Sequence, residues 1–312
     1  MNSVSTATGS RKSAGASVGI PPRQMNFRIP EDSPRYFYDN NATATLFFAM
    51  LSGFFPPGER FFMESVRHFR DHITDEKLKA EVSGFMGQEA IHGREHDRLN
   101  ELLTSRGIDM SVPDKMVKMG IWLLEQLPPS QQLACTTYME HFTALLAQRL
   151  LTDADFRSKA DPEMIKLWQW HALEELEHKA VAYDVYETIG NSQRERLLAA
   201  PCVMVALTPA VLLSWSWLVV REGKATDIGD IRRGLNMLFG LNGFVTRILP
   251  KMPLFHRKRF HPAKHDTRAL EKEWRERLFG ENGALRNEFR NREAVIAEAE
   301  VFTGDPAHAM AH

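Results

Sequence analysis

Two short segments of the chain repeat the same pair of side chains, a glutamate followed three residues later by a histidine. Glu89 and His92 lie in FMGQEAIHGREH, and Glu175 and His178 lie in HALEELEHKA. On an α-helix this spacing places both side chains on one face, a single turn apart. Carboxylate and imidazole groups without thiolates suit iron, manganese or zinc. One such pair is common on solvated helices, so a metal site needs further ligands.

The first pair lies on an apolar helix face. Val82, Phe85 and Met86 share the stripe of Glu89, so this stripe is predicted to point into the core. A carboxylate on such a stripe must be neutral, paired or bound to a metal, because burial of a bare charge costs several kcal/mol. The sequence therefore predicts that Glu89 is held inside the protein.

A dimetal site in a four-helix bundle requires one more glutamate from each of the two remaining helices. Glu140 is the candidate in the third helix, where its face carries small and apolar residues. The first helix offers Glu59 or Glu64. Glu59 shares its face with phenylalanine, methionine and valine, whereas Glu64 shares its face with arginine, histidine and aspartate. Periodicity therefore predicts that Glu59 faces inward and Glu64 faces water.

Distances along the chain support the same choice. In an antiparallel helical hairpin, residues at the same height are equidistant from the connecting turn. The midpoint of Glu59 and Glu89 is residue 74, at a turn signal, and the midpoint of Glu140 and Glu175 falls within the DADFRSKADP connection. Two hairpins are therefore predicted to present a lone glutamate and a Glu-x-x-His pair at matching heights.

Nine residues form the predicted site. The metal ligands are Glu59, Glu89, His92, Glu140, Glu175 and His178. Three more residues lie one turn from these ligands, and either orient them or are surface residues beside the site: His96, His171 and Glu174. Two other residues, Glu177 and Lys179, are assigned to the solvated side of their helix.

Apolar residues recur at helical spacing and strand-like alternation is scarce, so the chain is predicted to be all-α. The expected fold is a ferritin-like four-helix bundle with additional apolar C-terminal helices. Pro56 and Pro57 are expected to separate a short initial segment from the first long helix, which begins at about Pro57. The helices that carry the predicted ligands would then surround one interior.

Composition divides the chain into four regions. These are a disordered tail at 1–25, a metal-binding helical bundle at 26–192, an apolar helical region at 193–250 and a polar C-terminal helical region at 251–312. Within the third region, Ala199 to Val220 form 22 residues without a charge, which is long enough to span a bilayer. This run either packs as a buried helix over the bundle or contacts a membrane.

Length and composition restrict the classes of protein. The 312 residues are 43% hydrophobic and 25% charged, as in a folded protein. A net charge of −1 without a basic stripe gives no reason to expect a nucleic-acid partner. Cys135 and Cys202 form no CxxC pair, which fits a reducing compartment. The expected location is the cytoplasm, or the inner face of its membrane if 199–220 contacts lipid, and an oligomer is compatible with the sequence.

Five motifs occur in order along the chain. They are Phe55-Pro56-Pro57-Gly58-Glu59-Arg60-Phe61-Phe62, Gln88-Glu89 with His92 and His96, Glu140-His141-Phe142-Thr143, Glu174-Glu175-Leu176-Glu177-His178-Lys179, and Phe260-His261-Pro262 with Asp266. Together they resemble the bacterial family named predicted metal-dependent hydrolases, from about Phe27 to the 290s. The resemblance implies a metal-binding helical protein and supports the same six ligands. His261 is not placed among them.

Four carboxylates and two imidazoles can hold two divalent ions, with iron expected first and manganese or zinc as alternatives. A di-iron site would support O2-dependent oxidation of a small apolar, lipid-like substrate, and the sequence favours this reaction. The same ligands around redox-inert ions would support hydrolysis of an ester or phosphoester. An iron-handling, ferroxidase-like role is the third interpretation. The chain is therefore predicted to be a metal-dependent enzyme whose reaction class is open.

Overall fold

α-Helices form nearly all regular structure in the computed structural model, which describes residues 13–290. They are α1 Ala42–Arg67, α2 Glu76–Ser105, α3 Ser111–Glu125, α4 Pro129–Thr152, α5 Ala154–Ser158, α6 Met164–His178, α7 Val181–Thr188, α8 Gln193–Arg221, α9 Ile228–Phe239 and α10 Arg268–Phe279. Short 3₁₀ helices lie at Gly15–Val18, Arg70–His72, Leu249–His256 and Pro262–Lys264. No strand forms within this described part of the chain, so the all-α prediction is confirmed.

Four long elements form the frame of the protein. α1 packs along α2, and α4 packs along the consecutive helices α6 and α7. The two pairs meet through contacts of α1 with α4 and of α2 with α6. Each helix turns a buried stripe toward the shared interior. The ferritin-like description of this frame stays a prediction.

α1 runs without interruption through Pro56 and Pro57, so the predicted helix break at these residues is wrong. A proline inside a helix leaves the carbonyl four residues earlier without its usual amide donor. For Pro56 that carbonyl belongs to Ser52, and it accepts a 3.1 Å hydrogen bond from Nδ2 of Asn100 on α2. A tertiary contact thus replaces the lost helical bond and allows one long helix.

The N-terminal segment packs against α2 from Ser13 onward, although the sequence assigns residues 1–25 to a disordered tail. A β-carbon on Gly84 would lie 2.5 Å from the carbonyl oxygen of Ile20, so only glycine permits this close approach. Arg23 is 4% exposed and ion-paired. Composition cannot reveal these contacts, because they depend on partners far along the chain. The residues before Ser13 lie outside the described part.

The apolar run 199–220 forms most of α8. Within the residues described, α8 is the one helix long and apolar enough to cross a membrane, and 33% of its most apolar window is buried. One face of α8 packs on α1, α3 and α4. The opposite face carries exposed large apolar side chains, among them Met204, Val205, Leu212 and Leu213. Membrane association through this run therefore stays a prediction.

The C-terminal region returns to the N-terminal segment. Met25 and Phe289 form an isolated antiparallel bridge, and Nε of Arg290 donates a 3.2 Å hydrogen bond to the carbonyl of Met25. α10 packs on α6. The predicted polar helical region 251–312 thus contains α10, whereas its residues 291–312 lie outside the described part of the chain.

Candidate metal centre

All six predicted ligands lie in one buried cluster between the four frame helices. Glu59 comes from α1, Glu89 and His92 from α2, Glu140 from α4, and Glu175 and His178 from α6. None of the six is more than 3% exposed. The alternative in the first helix, Glu64, is 58% exposed. The structure thus brings together the residues that helical periodicity selects.

Donor atoms within the cluster fall into contiguous groups. Glu89, Glu140 and His178 form one group, and Glu89, His92 and Glu175 form another, with the donor atoms of each group within 4.8 Å of one another. The Nε2 atom of His178 lies 3.1 Å from Oε1 of Glu89 and 3.6 Å from Oε1 of Glu175. Because Glu89 belongs to both groups, its carboxylate lies where two ions would share a ligand.

The inward-facing atoms of this cluster lack hydrogen-bond partners among the described residues. They are both carboxylate oxygens of Glu59, Glu89 and Glu140, Oε2 of Glu175, Nδ1 of His92 and Nε2 of His178. Each buried polar atom left unpaired costs about 1–3 kcal/mol. All nine are carboxylate oxygens or imidazole nitrogens, which are atoms that coordinate divalent ions. The residues present therefore fit metal ions.

Burial sets the charge state of the carboxylates in the metal-free protein. Burial first, and neighbouring carboxylates second, raise the pKa values of Glu59, Glu89 and Glu140 well above the ordinary range. Burial also opposes ionisation of Glu175, but its hydrogen bond with His171 and the nearby imidazole of His178 outweigh burial and hold its pKa well below the ordinary value. Three of the four ligand carboxylates are thus costly to ionise until cations accompany them.

Two imidazoles of the interior, those of His92 and His96, are held neutral. Burial lowers the pKa values of His92 and His96 well below the ordinary value, with neighbouring imidazoles adding to the effect. A neutral imidazole retains a lone pair on one ring nitrogen, which is the form that binds a metal. His92 therefore has the charge state of a ligand before any ion arrives.

Both ligand histidines are held through the ring nitrogen that faces away from the cluster. Nε2 of His92 lies 2.9 Å from Oε2 of Glu174, and Nδ1 of His178 lies 3.1 Å from Oε1 of Gln88. The amide nitrogen of Gln88 donates to Glu177 at 2.8 Å, so its oxygen must accept and His178 must donate from Nδ1. Nε2 of His178 is then left as the lone-pair donor toward the cluster.

Arg23 connects these two supports. Its guanidinium donates 2.8 Å hydrogen bonds to Oε1 of Glu174 and to both carboxylate oxygens of Glu177. Burial opposes ionisation of Glu177, but Arg23 and Arg275 outweigh it and hold its pKa at about 2. Burial raises the pKa of Glu174 to about 8, although Arg23 lowers it. One residue of the N-terminal segment thus anchors the supports of both histidines.

His96 and His171 are buried inside the same interior, and they have partners. Nδ1 of His96 lies 2.9 Å from Oγ of Ser52, and its Nε2 lies 2.8 Å from Nδ1 of His171. Nε2 of His171 lies 2.9 Å from Oε1 of Glu175. This chain of hydrogen bonds holds Glu175 from the α1 side. His171 also lies in a donor group with Glu59 and His92, so it is the support closest to acting as a ligand.

A comparison with protein families gives the decisive match. A family profile described as predicted metal-dependent hydrolase matches residues 21–266, a range that contains all six predicted ligands. The chain belongs to this family. Searches of curated proteins and of solved structures found no match.

Membership of the predicted metal-dependent hydrolases makes the chain a metal-dependent enzyme, with its reaction class open. The family description agrees better with the hydrolytic alternative than with the O2-dependent oxidation that the sequence favours. It agrees with the buried groups of glutamate and histidine that could hold divalent ions. It does not specify which metal they bind.

Two residues of this hydrolase-family chain lie elsewhere than expected. Glu177 and Lys179, assigned to the solvated side of α6, have side chains that are 0% and 11% exposed. The N-terminal segment and α10 cover this side of α6, so helix periodicity alone could not place them. Helix periodicity also gave no indication that Arg23 and Gln88 support the ligand histidines. The available signals were an arginine within an apolar stretch, IPPRQM, and the position of Gln88 directly before Glu89.

His261 lies outside the buried cluster. Its Nε2 is 2.8 Å from Oδ1 of Asp184, and this hydrogen bond raises the pKa of His261. Together with Glu187 the two residues form a partly exposed group whose donor atoms lie within 4.8 Å of one another. In this family member the motif histidine therefore forms a surface ion pair, and among the described residues its donor group contains none of the six predicted ligands.

Replacing Arg23 by glutamine is expected to weaken metal binding by about 10–100-fold, because Glu174 and Glu177 lose the group that holds them. Competition with a chelator of known affinity would measure the dissociation constants for Zn²⁺ or Mn²⁺. The matched control is Arg94→Gln, which removes a cation that contacts Gln24 and Glu95 but neither support. Equal metal affinity of the two variants would contradict a positioning role for Arg23.

Proposed function

We propose that the buried cluster binds two divalent metal ions and that the protein hydrolyses an ester or phosphoester bond. The observation that carries the metal site is the set of nine buried donor atoms without hydrogen-bond partners in the described structure, all from the six predicted ligands. The family description supports hydrolysis as the reaction. Fe, Mn and Zn all suit these ligands.

The three overlapping buried donor groups support a proposal of two ion positions. Glu140 and His178 would hold one ion, Glu59 and His92 would hold the other, and Glu89 with Glu175 would lie between them. Four ionised carboxylates balance the charge of two divalent cations. Bound ions of this kind lower the pKa of water and polarise the bond to be cleaved.

The protein's own side chains would prepare the site in three ways. Glu174 and Gln88 fix the orientation of the two ligand imidazoles. His171 holds Glu175 in its ionised form. The burial of every ligand excludes bulk water, which strengthens electrostatic interactions inside the site. These contacts would fix the orientation and charge of the predicted ligands before any substrate binds.

O2-dependent oxidation is the second candidate reaction. The observation that favours it is the ligand set itself, because four glutamates and two histidines from four helices match the description of ferritin-like dimetal carboxylate proteins. It would require iron, whereas hydrolysis would proceed with zinc or manganese. The iron-handling alternative stays a prediction.

Metal analysis of anaerobically purified protein, followed by assays with each metal, tests the proposal. We expect about two ions per chain and hydrolysis of a chromogenic ester or phosphoester by the Zn²⁺ or Mn²⁺ form without O2. A chelator should abolish the activity. Oxygen consumption by the iron form without hydrolysis by any form would favour the second candidate. Glu64→Gln is the control, since this exposed residue should affect neither metal content nor activity.

A further inference from the structure

A cavity lies between α4, the end of α6 and the segment 251–265. Its volume is about 360 Å³, within the range of small-molecule binding sites. Its walls are formed by α4 between His141 and Leu145, by Leu176 and Lys179 at the end of α6, and by the segment 251–265. Ala144 and Lys179 of the lining lie four residues after the predicted ligands Glu140 and Glu175, which is one helical turn further along the same face. The cavity is therefore about one helical turn from two of the predicted ligands.

The cavity is strongly basic. Its lining contains five lysines and arginines and three histidines, and no aspartate or glutamate occurs among the described residues that line it. The five cations are Lys179, Lys251, Arg257, Arg259 and Lys264. The whole chain has a net charge of −1, so this concentration of positive charge is local. A cavity lined by one sign of charge concentrates ligands of the opposite sign.

Most of the atoms that these cations contact are neutral oxygens, which do not compensate their positive charge. Nζ of Lys264 donates to the carbonyl of Arg259 at 2.7 Å, and Nζ of Lys251 lies 3.3 Å from Oε1 of Gln148. Lys179 donates to the carbonyl of His265 at 2.9 Å, has the carboxylate of Glu271 at 3.9 Å and also interacts with Asp266. Neutral oxygens orient these ammonium groups but do not cancel their charge. An anion entering the cavity would therefore meet several positive groups at once.

The remaining lining is apolar. Ala144, Leu145, Leu176, Leu254, Phe260 and Pro262 form it. Phe260 is held in place by His141, whose ring packs edge-on at a centroid distance of 5.0 Å. An apolar wall beneath a set of cations fits a molecule with an anionic group and a hydrocarbon part.

We propose that this cavity binds an alkyl phosphate or a related phosphoester and holds it beside the metal cluster. A phosphate group carries up to two negative charges and suits five surrounding cations better than a singly charged carboxylate does. The inference rests on the proposed hydrolytic function and specifies its substrate class. The proposed ligand differs from the small apolar substrate expected from the sequence, because cations accompany the apolar wall.

Calorimetric titration of hexyl phosphate into the full-length protein tests this assignment. Arg257→Gln/Arg259→Gln removes two cavity cations whose side chains are exposed, so the fold should be retained. The matched control is Arg232→Gln/Arg233→Gln, which removes the same charge from exposed positions on α9. We expect the cavity variant to bind hexyl phosphate about tenfold more weakly or worse, and the control variant to bind it as the unmodified protein does. Inorganic phosphate should bind more weakly than hexyl phosphate.

Each titration is made with zinc-loaded and with metal-free protein, and metal content is measured for every variant. Binding to metal-free protein that depends on Arg257 and Arg259 supports the cavity even if hydrolysis is not found. Equal affinity of the two double variants would overturn the proposal. So would binding of hexyl phosphate only in the presence of metal, or binding of inorganic phosphate as tight as that of hexyl phosphate. A different result would contradict the proposed function, namely that neither the unmodified protein nor any variant binds metal.

Discussion

Replacing Glu89 by glutamine is expected to remove both metal ions and to lower hydrolytic activity by at least about 10³-fold. Glu89 is the carboxylate shared by the two donor groups of the cluster, so its loss affects both positions. Glutamine has almost the same shape, but it carries no charge and offers one oxygen. A thousandfold loss is about 4 kcal/mol of barrier, within the several kcal/mol that metal ions contribute to such reactions.

The same substitution is expected to stabilise the metal-free protein. Burial and the neighbouring carboxylates raise the pKa of Glu89 well above the ordinary value, so the ionised form is unfavourable in the folded state. The folded metal-free protein must instead keep Glu89 protonated, which costs free energy at neutral pH. A neutral amide avoids this cost and should raise the melting temperature in the presence of a chelator. Metal analysis and thermal unfolding measure the two effects on one sample.

Glu64→Gln is the matched control for this experiment. Glu64 lies on α1 but is 58% exposed and pairs with Arg67, so its substitution should leave metal content and activity unchanged. Full metal content in the Glu89→Gln variant would contradict the assignment of the cluster. A variant that is both metal-free and unfolded would show instead that Glu89 is needed for the fold itself.

Removing the metal is expected to make the protein less stable as pH rises above about 6.5. The raised pKa values of Glu59, Glu89 and Glu140 mean that the folded state binds more protons than the unfolded state at this pH. The free energy of unfolding then falls as pH rises, by about 1.4 kcal/mol per pH unit for each group that stays protonated. Below about 6.5 the lowered pKa values of His92 and His96 act in the opposite direction, because the unfolded state takes up those protons.

Bound metal should remove this pH dependence above 6.5. The ligand carboxylates are then ionised in both states, and saturating metal adds about 4 kcal/mol per ion at a free concentration of 1,000 times the dissociation constant. For a chain of this size that corresponds to a rise in melting temperature of roughly 10 °C or more. Melting temperatures measured from pH 6.5 to 8.5, with zinc and with a chelator, give the comparison. If the melting temperature changed with pH in the same way with zinc and with a chelator, the proposal that buried carboxylates cause the pH dependence would be contradicted.

Helical periodicity could place the six predicted ligands in one interior cluster because its information is local. The Glu-x-x-His spacing, the apolar neighbours of Glu59 and the turn midpoints depend only on residues close in sequence, and the structure brings all six ligands together. The break expected at Pro56 failed because the compensating donor, Asn100, lies on another helix. A rule based on neighbouring residues accounts for the backbone N–H that proline lacks, but it cannot account for the side chain of Asn100, which replaces that donor.

The supports of the ligands depend on contacts that no local pattern contains. Arg23 is separated from Glu174 by 151 residues, and Lys179 is covered by a loop 86 residues later. A charged residue on α6 has the same sequence pattern whether it faces water or another segment of the chain. The basic cavity was not predicted either, because its cations come from α6 and from the segment 251–265 and meet only in the folded protein.

The N-terminal segment has a consequence for how the protein is made. Arg23 and Met25 leave the ribosome first, yet Glu174 is synthesised 151 residues after Arg23, and Arg290 is synthesised 265 residues after Met25. Contacts of such long range form late, after the local helical hairpins. The four ligand-bearing helices can therefore assemble before their N-terminal cover is in place. The proposed ions would then reach the cluster before residues of the C-terminal region pack against the N-terminal segment.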